Sequence, residues 1–217
     1  MKKIISLEEA AKLVKDDMTI MVGGFLGVGS PEKILKELIK NNVKNLTLIA
    51  NDTSFPGQDY GDLVVHKMVK KVIVSHIGTN KETGNQMHSK ELEVVLVPQG
   101  TLAEQIRAYG AGLGAVITPT GIGTVVEEGK EILEVDGKRY IVEKPLRADI
   151  ALIRASKADK NGNLIYDKSA RNFNPIMAMA ADIVIVEADE IVEVGELDPN
   201  FVMTPHIFVD YIVGDDK

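Results

Sequence analysis

The chain has no cysteine and no tryptophan. Without cysteine there is no disulfide, no thiolate nucleophile and no cysteine-ligated zinc. Aromatic residues make up 5% of the chain, too few for the stacking platforms that grip single-stranded nucleic acids. No run of Lys and Arg forms a basic patch, and the formal net charge of −7 disfavours a phosphate backbone as partner. No apolar run approaches the ~20 residues of a membrane-spanning helix. The histidines, His66, His76, His88 and His206, stand at spacings that suit no metal motif, so no metal site is expected. Neither Ser30 nor Ser54 lies in a Gly-x-Ser-x-Gly elbow. The start, Met1-Lys2-Lys3-Ile4-Ile5-Ser6, leads into a polar amphipathic segment rather than an apolar leader, which points to the cytoplasm.

What is present is an ordinary globular composition, 45% hydrophobic and 26% charged. The chain is organised around Ile20–Pro31. A short β-branched apolar run gives way to Gly23, Gly24, Gly27 and Gly29, then to Ser30-Pro31. This reads as a buried strand, a tight glycine turn and a helix start, with Ser30 as N-cap and Pro31 at the first helical position. Backbone N–H groups at such a turn can face an anion.

Alternating elements follow along the chain. Ser6-Leu7-Glu8-Glu9 is a capping box opening a helix to about Lys15. Further helices are expected from Pro31 to Asn41 and, through a second capping box at Thr101–Glu104, as far as Arg107. A short Met/Ala helix is expected from Asn174-Pro175 to Ala181. Apolar strands are expected at Thr19–Val22, Leu46–Ala50, Val72–Ser75, Leu92–Val97, Ile150–Ile153, Ile183–Glu187 and Phe208–Val213. Gly78–Gly84 reads as a polar turn, and Asp136-Gly137 as the turn of a hairpin between Ile132–Val135 and Arg139–Val142. The expected fold is α/β: a mostly parallel sheet with helices on both faces and a small antiparallel hairpin excursion. No linker or repeat divides residues 1–217, so one domain is expected.

Three clusters follow strands and would share one edge of a parallel sheet: Gly23–Gly29, Asn51–Ser54 and Pro98–Thr101. Asn51 and Gln99 can donate hydrogen bonds to a carboxylate or carbonyl oxygen, and the loop N–H groups can do the same. No nucleophile stands among them. Asp52 after the second strand also suits a dinucleotide site, but the glycine gaps run in the reverse order of Gly-x-Gly-x-x-Gly.

The stretch Gly23-Gly24-Phe25-Leu26-Gly27-Val28-Gly29-Ser30-Pro31 resembles the family I CoA-transferase signature Gly-Gly-Phe-x-x-x-Gly-x-Pro. Ahead of the strand Asp16 fits the wider signature and Asp17 departs from it. The likeness continues through Asn51–Ser54, Pro98–Leu102, Thr118–Gly121, Ala170-Arg171-Asn172-Phe173-Asn174-Pro175 and Gly195–Pro199. The resemblance implies the alpha subunit of an acetate/acetoacetate-type transferase, with CoA or acyl-CoA as substrate and no tightly bound cofactor. CoA would move between a short acyl-CoA and a free short-chain carboxylate. The family's glutamate nucleophile lies in a Ser-Glu-Asn-Gly motif on a beta subunit, and this chain has no Glu-Asn-Gly. The implied partner is that beta subunit, in an α2β2 assembly. Gly23, Gly24, Phe25, Leu26, Gly27, Val28 and Gly29 would form the CoA-binding loop, and Asn51 and Gln99 would position substrate. The rival class is a non-catalytic module that kept the fold.

Overall fold

Strands that are apolar at every position must be covered on both faces, and the structure shows how this is done. The computed structural model describes residues 2–214. In chain order the elements begin with β1 (Lys3–Ile5), α1 (Leu7–Leu13), β2 (Thr19–Val22), α2 (Glu32–Asn41), β3 (Leu46–Ile49) and α3 (Gly61–Val65). They continue with β4 (Val69–Val74), α4 (Lys81–His88), β5 (Glu93–Leu96), α5 (Gln99–Gly110) and β6 (Val116–Thr118). Then come β7 (Ile132–Val135), β8 (Lys138–Glu143), β9 (Ala148–Asp159), β10 (Leu164–Ile165), α6 (Asn174–Ala178), β11 (Ala181–Val192) and β12 (Tyr211–Val213).

The main sheet runs β1-β12-β11-β9-β2-β3-β4-β5, all parallel, with β10 added antiparallel to β9. A separate antiparallel sheet, β6-β8-β7, contains the expected hairpin. Its turn residues, Asp136 and Gly137, both have positive φ, as a two-residue hairpin turn requires. Side chains alternate between the two faces of the main sheet. Ile20, Val22, Ile150 and Leu152 pack with Ala10, Ala11, Ile34, Leu35, Leu38, Leu63 and Val64 of α1, α2 and α3. Met21, Ala151 and Ile153 pack with Leu102, Ile106, Met177 and Ala178 of α5 and α6. Each such fully buried large side chain contributes roughly 1.5–3 kcal/mol relative to exposure. The expected α/β class is therefore what forms.

Several expectations need correction. α5 begins at Gln99, so Thr101 lies inside the first turn and no side chain caps that helix. Gly78–Gly84 is not only a turn: Asn80 caps Glu82 N and opens α4. The last strand is shorter than expected, because a 3₁₀ turn occupies His206–Phe208. The Met/Ala helix stops at Ala178, and Ala181 already belongs to β11. β1, α3 and β6 had no distinct sequence signal; each is five residues or fewer and shows too little periodicity to read.

Ser30 does not cap α2. The flanking position is Pro31, which makes no side-chain cap bond. The acceptor comes from across the sheet instead: Glu187 Oε2 on β11 accepts from Lys33 N at 2.9 Å and Ile34 N at 3.0 Å. Burial is the largest influence on this carboxyl and pushes it above its ordinary value; the bonds from Ile34 and Lys33 and the Arg154 charge oppose it. A raised value means that the fold disfavours the ionised form. Its stabilising contribution is complete below the ordinary value of 4.5 and is lost as pH rises through the raised one. Glu187→Gln keeps an acceptor oxygen without the charge. Thermal unfolding from pH 4.5 upward should therefore show wild type losing stability relative to Glu187→Gln. Glu187→Ala, which orphans two N–H groups, should cost about 1–3 kcal/mol at pH 4.5 and below, where the wild-type contribution is complete.

Candidate functional site

β2 ends where its neighbour β9 does not. Gly23 N–H donates to Leu152 O at 2.9 Å, after which β2 turns away and β9 runs on to Asp159. The glycine loop fills the space beside that continuing strand. Phe25 and Val28 exchange backbone hydrogen bonds at 3.1 and 3.0 Å, closing a miniature two-residue turn. Its central residues, Leu26 and Gly27, have φ of 48° and 84°. Both lie in the left-handed region, which glycine tolerates and leucine adopts only under constraint.

The constraint comes from the two neighbouring segments. Leu26 N–H donates to Asp52 Oδ2 at 2.9 Å. On the other side, Asn172 Nδ2 donates to Val28 O at 2.8 Å, and Asn174 Nδ2 to Gly29 O at 3.0 Å. Asn174 is fully buried and also accepts from Arg154 N at 3.1 Å, replacing the strand partner that β9 loses when β2 turns off. The contacts leave no room for side chains at two glycines. A Cβ on Gly23 would lie 1.8 Å from Asn174 Oδ1, and one on Gly29 would lie 2.6 Å from Ala170 O. Ser30, freed from capping, donates its hydroxyl to Asp59 Oδ1 at 2.5 Å. Burial raises the Asp59 carboxyl, and the Ser30 bond opposes the rise.

Asn51 and Gln99, distant in sequence, meet directly: Gln99 Nε2 donates to Asn51 Oδ1 at 2.9 Å. Asn51 Nδ2 donates to Asp52 Oδ2 at 2.7 Å, the same oxygen that holds Leu26. The strand-end clusters thus share one hydrogen-bonded edge. They differ in access. Asn51 is 2% exposed, whereas Gln99 is exposed at the first position of α5. The first turn of α5 adds backbone N–H groups that no side chain caps. In the loop, by contrast, the N–H groups of Phe25, Leu26, Val28 and Ser30 are already bonded within the protein. The expectation of a loop lined with free donors therefore does not hold at those positions. Phe25 and Val28 side chains are exposed, and a cavity of about 250 Å³ lies beside Val28 and Gly29, bounded by Arg154, Ser156 and Ser169.

Tyr60 was not singled out by sequence. It is fully buried, and its hydroxyl donates to Asp52 Oδ1 at 2.9 Å. Burial, then the Asp52 charge, pushes that hydroxyl far above its ordinary value, so it stays a donor. Among the described residues no group of three His, Asp or Glu side chains is placed to hold a metal.

Residues 4–215 match the family model described as Coenzyme A transferase. The chain belongs to the coenzyme A transferase family. It is 57% identical over 211 residues to the acetate CoA-transferase subunit alpha of Escherichia coli (strain K12), covering 97% of this chain and 96% of that one. It is 49% identical over 211 residues to the acetoacetyl-CoA:acetate/butyrate CoA transferase alpha subunit of Clostridium acetobutylicum, covering 97% of each. Among solved structures, an acyl-CoA transferase from E. coli O157:H7 in a thioester complex with CoA superposes with a TM-score of 0.89 at 23% identity. That match covers 99% of this chain and 47% of the other, so this chain spans about half of that polypeptide. Glutaconate coenzyme A-transferase from Acidaminococcus fermentans superposes with a TM-score of 0.86 at 20% identity, covering 97% of this chain and 75% of the other. These two likenesses speak for the CoA-transferase fold.

Gly23 tests the loop without touching φ strain, since its own φ is not positive. Gly23→Ala should drive the new methyl into Asn174 and lower stability by about 1–3 kcal/mol, measured by denaturant unfolding. Gly24→Val adds strain at φ 125° to crowding by Ser30 and Tyr60, and should be the more damaging of the two.

Proposed function

We propose that this coenzyme A transferase moves CoA between a short-chain acyl-CoA and a free short-chain carboxylate such as acetate, butyrate or acetoacetate. In this reading the chain is the alpha subunit and works with a beta subunit, as α2β2. The observation that carries it is an edge of amides and helix N–H groups, Gln99 foremost, whose one bonded carboxylate, Asp52, is fully buried and held by four donors. The names of the alpha subunits it resembles support the substrate class and the division into two chains.

The chemistry follows from what the edge lacks. A glutamate carboxylate on the partner attacks the thioester carbonyl, and the developing oxyanion needs donors that carry no titrating proton. CoA leaves as thiolate and then attacks the resulting anhydride at the glutamyl carbonyl. The first carboxylate departs, and a glutamyl-CoA thioester remains on the enzyme. An incoming carboxylate reverses the sequence, which gives ping-pong kinetics. The Gln99 amide and the α5 N–H groups serve this step because they are neutral and cannot repel carboxylate substrates. The loop Gly23–Gly29 gives the CoA arm a surface it can approach closely, with Phe25 and Val28 as apolar contacts. Asn51 acts from below, through Gln99.

Three measurements test this. The chain purified alone should transfer no CoA, and adding the beta chain should restore turnover. Borohydride trapping after mixing with acyl-CoA should leave a reduced glutamate on the partner; a reduced glutamate within residues 1–217 overturns the division of roles. In the assembled enzyme Gln99→Ala should lower kcat by on the order of a hundredfold or less, at or below the low end of what loss of one oxyanion donor costs, because the α5 N–H groups remain. Unchanged turnover would make Gln99 a turn residue only.

A further inference from the structure

Asp52 is fully buried, yet the proposed reaction gives it no task. Its four bonded neighbours all donate to it. Oδ1 accepts from Ser54 N at 2.6 Å and Tyr60 Oη at 2.9 Å; Oδ2 accepts from Asn51 Nδ2 at 2.7 Å and Leu26 N at 2.9 Å. A side-chain amide has a donor end and an acceptor end, and nothing intrinsic decides which faces which way. A carboxylate accepts only. Because Asp52 takes the NH₂ end of Asn51, the carbonyl end of Asn51 faces Gln99. Gln99 must then turn its own NH₂ group inward to Asn51, which leaves its carbonyl oxygen and its second N–H for the exposed edge. The other polar neighbour of the Asn51 amide is the Ser75 hydroxyl, 3.4 Å from Oδ1. A hydroxyl can give or accept, so it does not set the direction.

We propose that Asp52 is a positioning residue that sets the polarity of the Asn51–Gln99 amide pair, so that Gln99 presents its carbonyl oxygen and one N–H rather than two N–H groups at the edge, and that ties this setting to the glycine loop through Leu26. The proposal rests on the CoA-transferase reading of the edge for its effect on turnover. The amide orientation itself can be read without turnover.

Asp52→Asn has one donor end and one acceptor end, and its NH₂ can face either the Asn51–Leu26 pair or the Ser54–Tyr60 pair, so it no longer fixes the direction. Labelling the glutamine side chains isotopically gives four amide signals from Gln58, Gln86, Gln99 and Gln105, with Gln99→Ala assigning the third. In the full chain Asp52→Asn should shift or split the Gln99 signal. Tyr60→Phe, which removes one bond to Oδ1 and leaves Oδ2 intact, should lower the melting temperature but leave that signal in place. In the enzyme assembled with its beta chain, Asp52→Asn should lower kcat by roughly tenfold to a hundredfold with little change in KM for acyl-CoA. In a Gln99→Ala background the same substitution should cost less than about twofold more, since its effect runs through the amide already removed. Full additivity, or a Gln99 signal that stays put, overturns the proposal and leaves Asp52 as an anchor of the fold. Should Asp52→Asn not fold, Asp52→Ser is smaller and not restricted to accepting, and carries the same expectations; failure of both to fold also assigns Asp52 to the fold alone. If the assembled wild-type enzyme transfers no CoA, the functional reading fails while the amide signal still decides the polarity.

Discussion

A buried carboxylate is costly unless every neighbour donates to it, and Asp52 meets that condition with donors from three places. Leu26 belongs to the glycine loop, Asn51 and Ser54 to the turn after β3, and Tyr60 to the residue flanking α3. Of these only the Tyr60 ring is also held by apolar packing. Removing the acceptor would strand several buried donors at once, which is far more expensive than the net value of one hydrogen bond. The left-handed φ of Leu26 belongs to the same constraint: its N–H can reach Asp52 because the two-residue turn is closed.

The parallel sheet makes this arrangement possible. All strands of the main path point the same way, so the ends of β2, β3 and β5 fall on one edge. β9 and β11 overrun that edge, still paired with each other and with β10 alongside β9, and side chains link the overrun to the loop and to α2. Asn174 accepts from Arg154 on β9, while Glu187 on β11 reaches the start of α2. The loop is therefore gripped twice, by Asp52 on one flank and by Asn172 and Asn174 on the other.

Much of this was legible in the amino-acid order. Continuously apolar runs such as Ile20–Val22 and Ile150–Ile153 state that both faces are covered. Gly23 and Gly29 mark places where another backbone or side chain approaches too closely for a Cβ. Asn51 and Gln99 were readable as polar residues at strand ends. Tyr60 was not, because a tyrosine two residues past a polar turn has no pattern that separates it from core. Asn172 was visible only as part of a resemblance, and Asn174 otherwise only as the residue before a helix-opening proline, which says nothing of the loop its amide holds. Ser30 misled for a related reason: a Ser-Pro pair suits an N-cap locally, and only the tertiary fold brings Asp59 to its hydroxyl and Glu187 to the helix.

The sequence by itself determined the alternation of elements, the parallel sheet, the glycine turn and the absence of any cysteine or serine-elbow nucleophile. Those are properties of periodicity and of residue type, which act over a few positions. Tertiary structure alone decided which donors remained free. Leu26 N–H lies 26 residues from its carboxylate acceptor, and Gln99 lies 48 residues from the amide it bonds. Hydrogen bonds of that span depend on the sheet order and on which side chains are sealed from water. No local pattern encodes either.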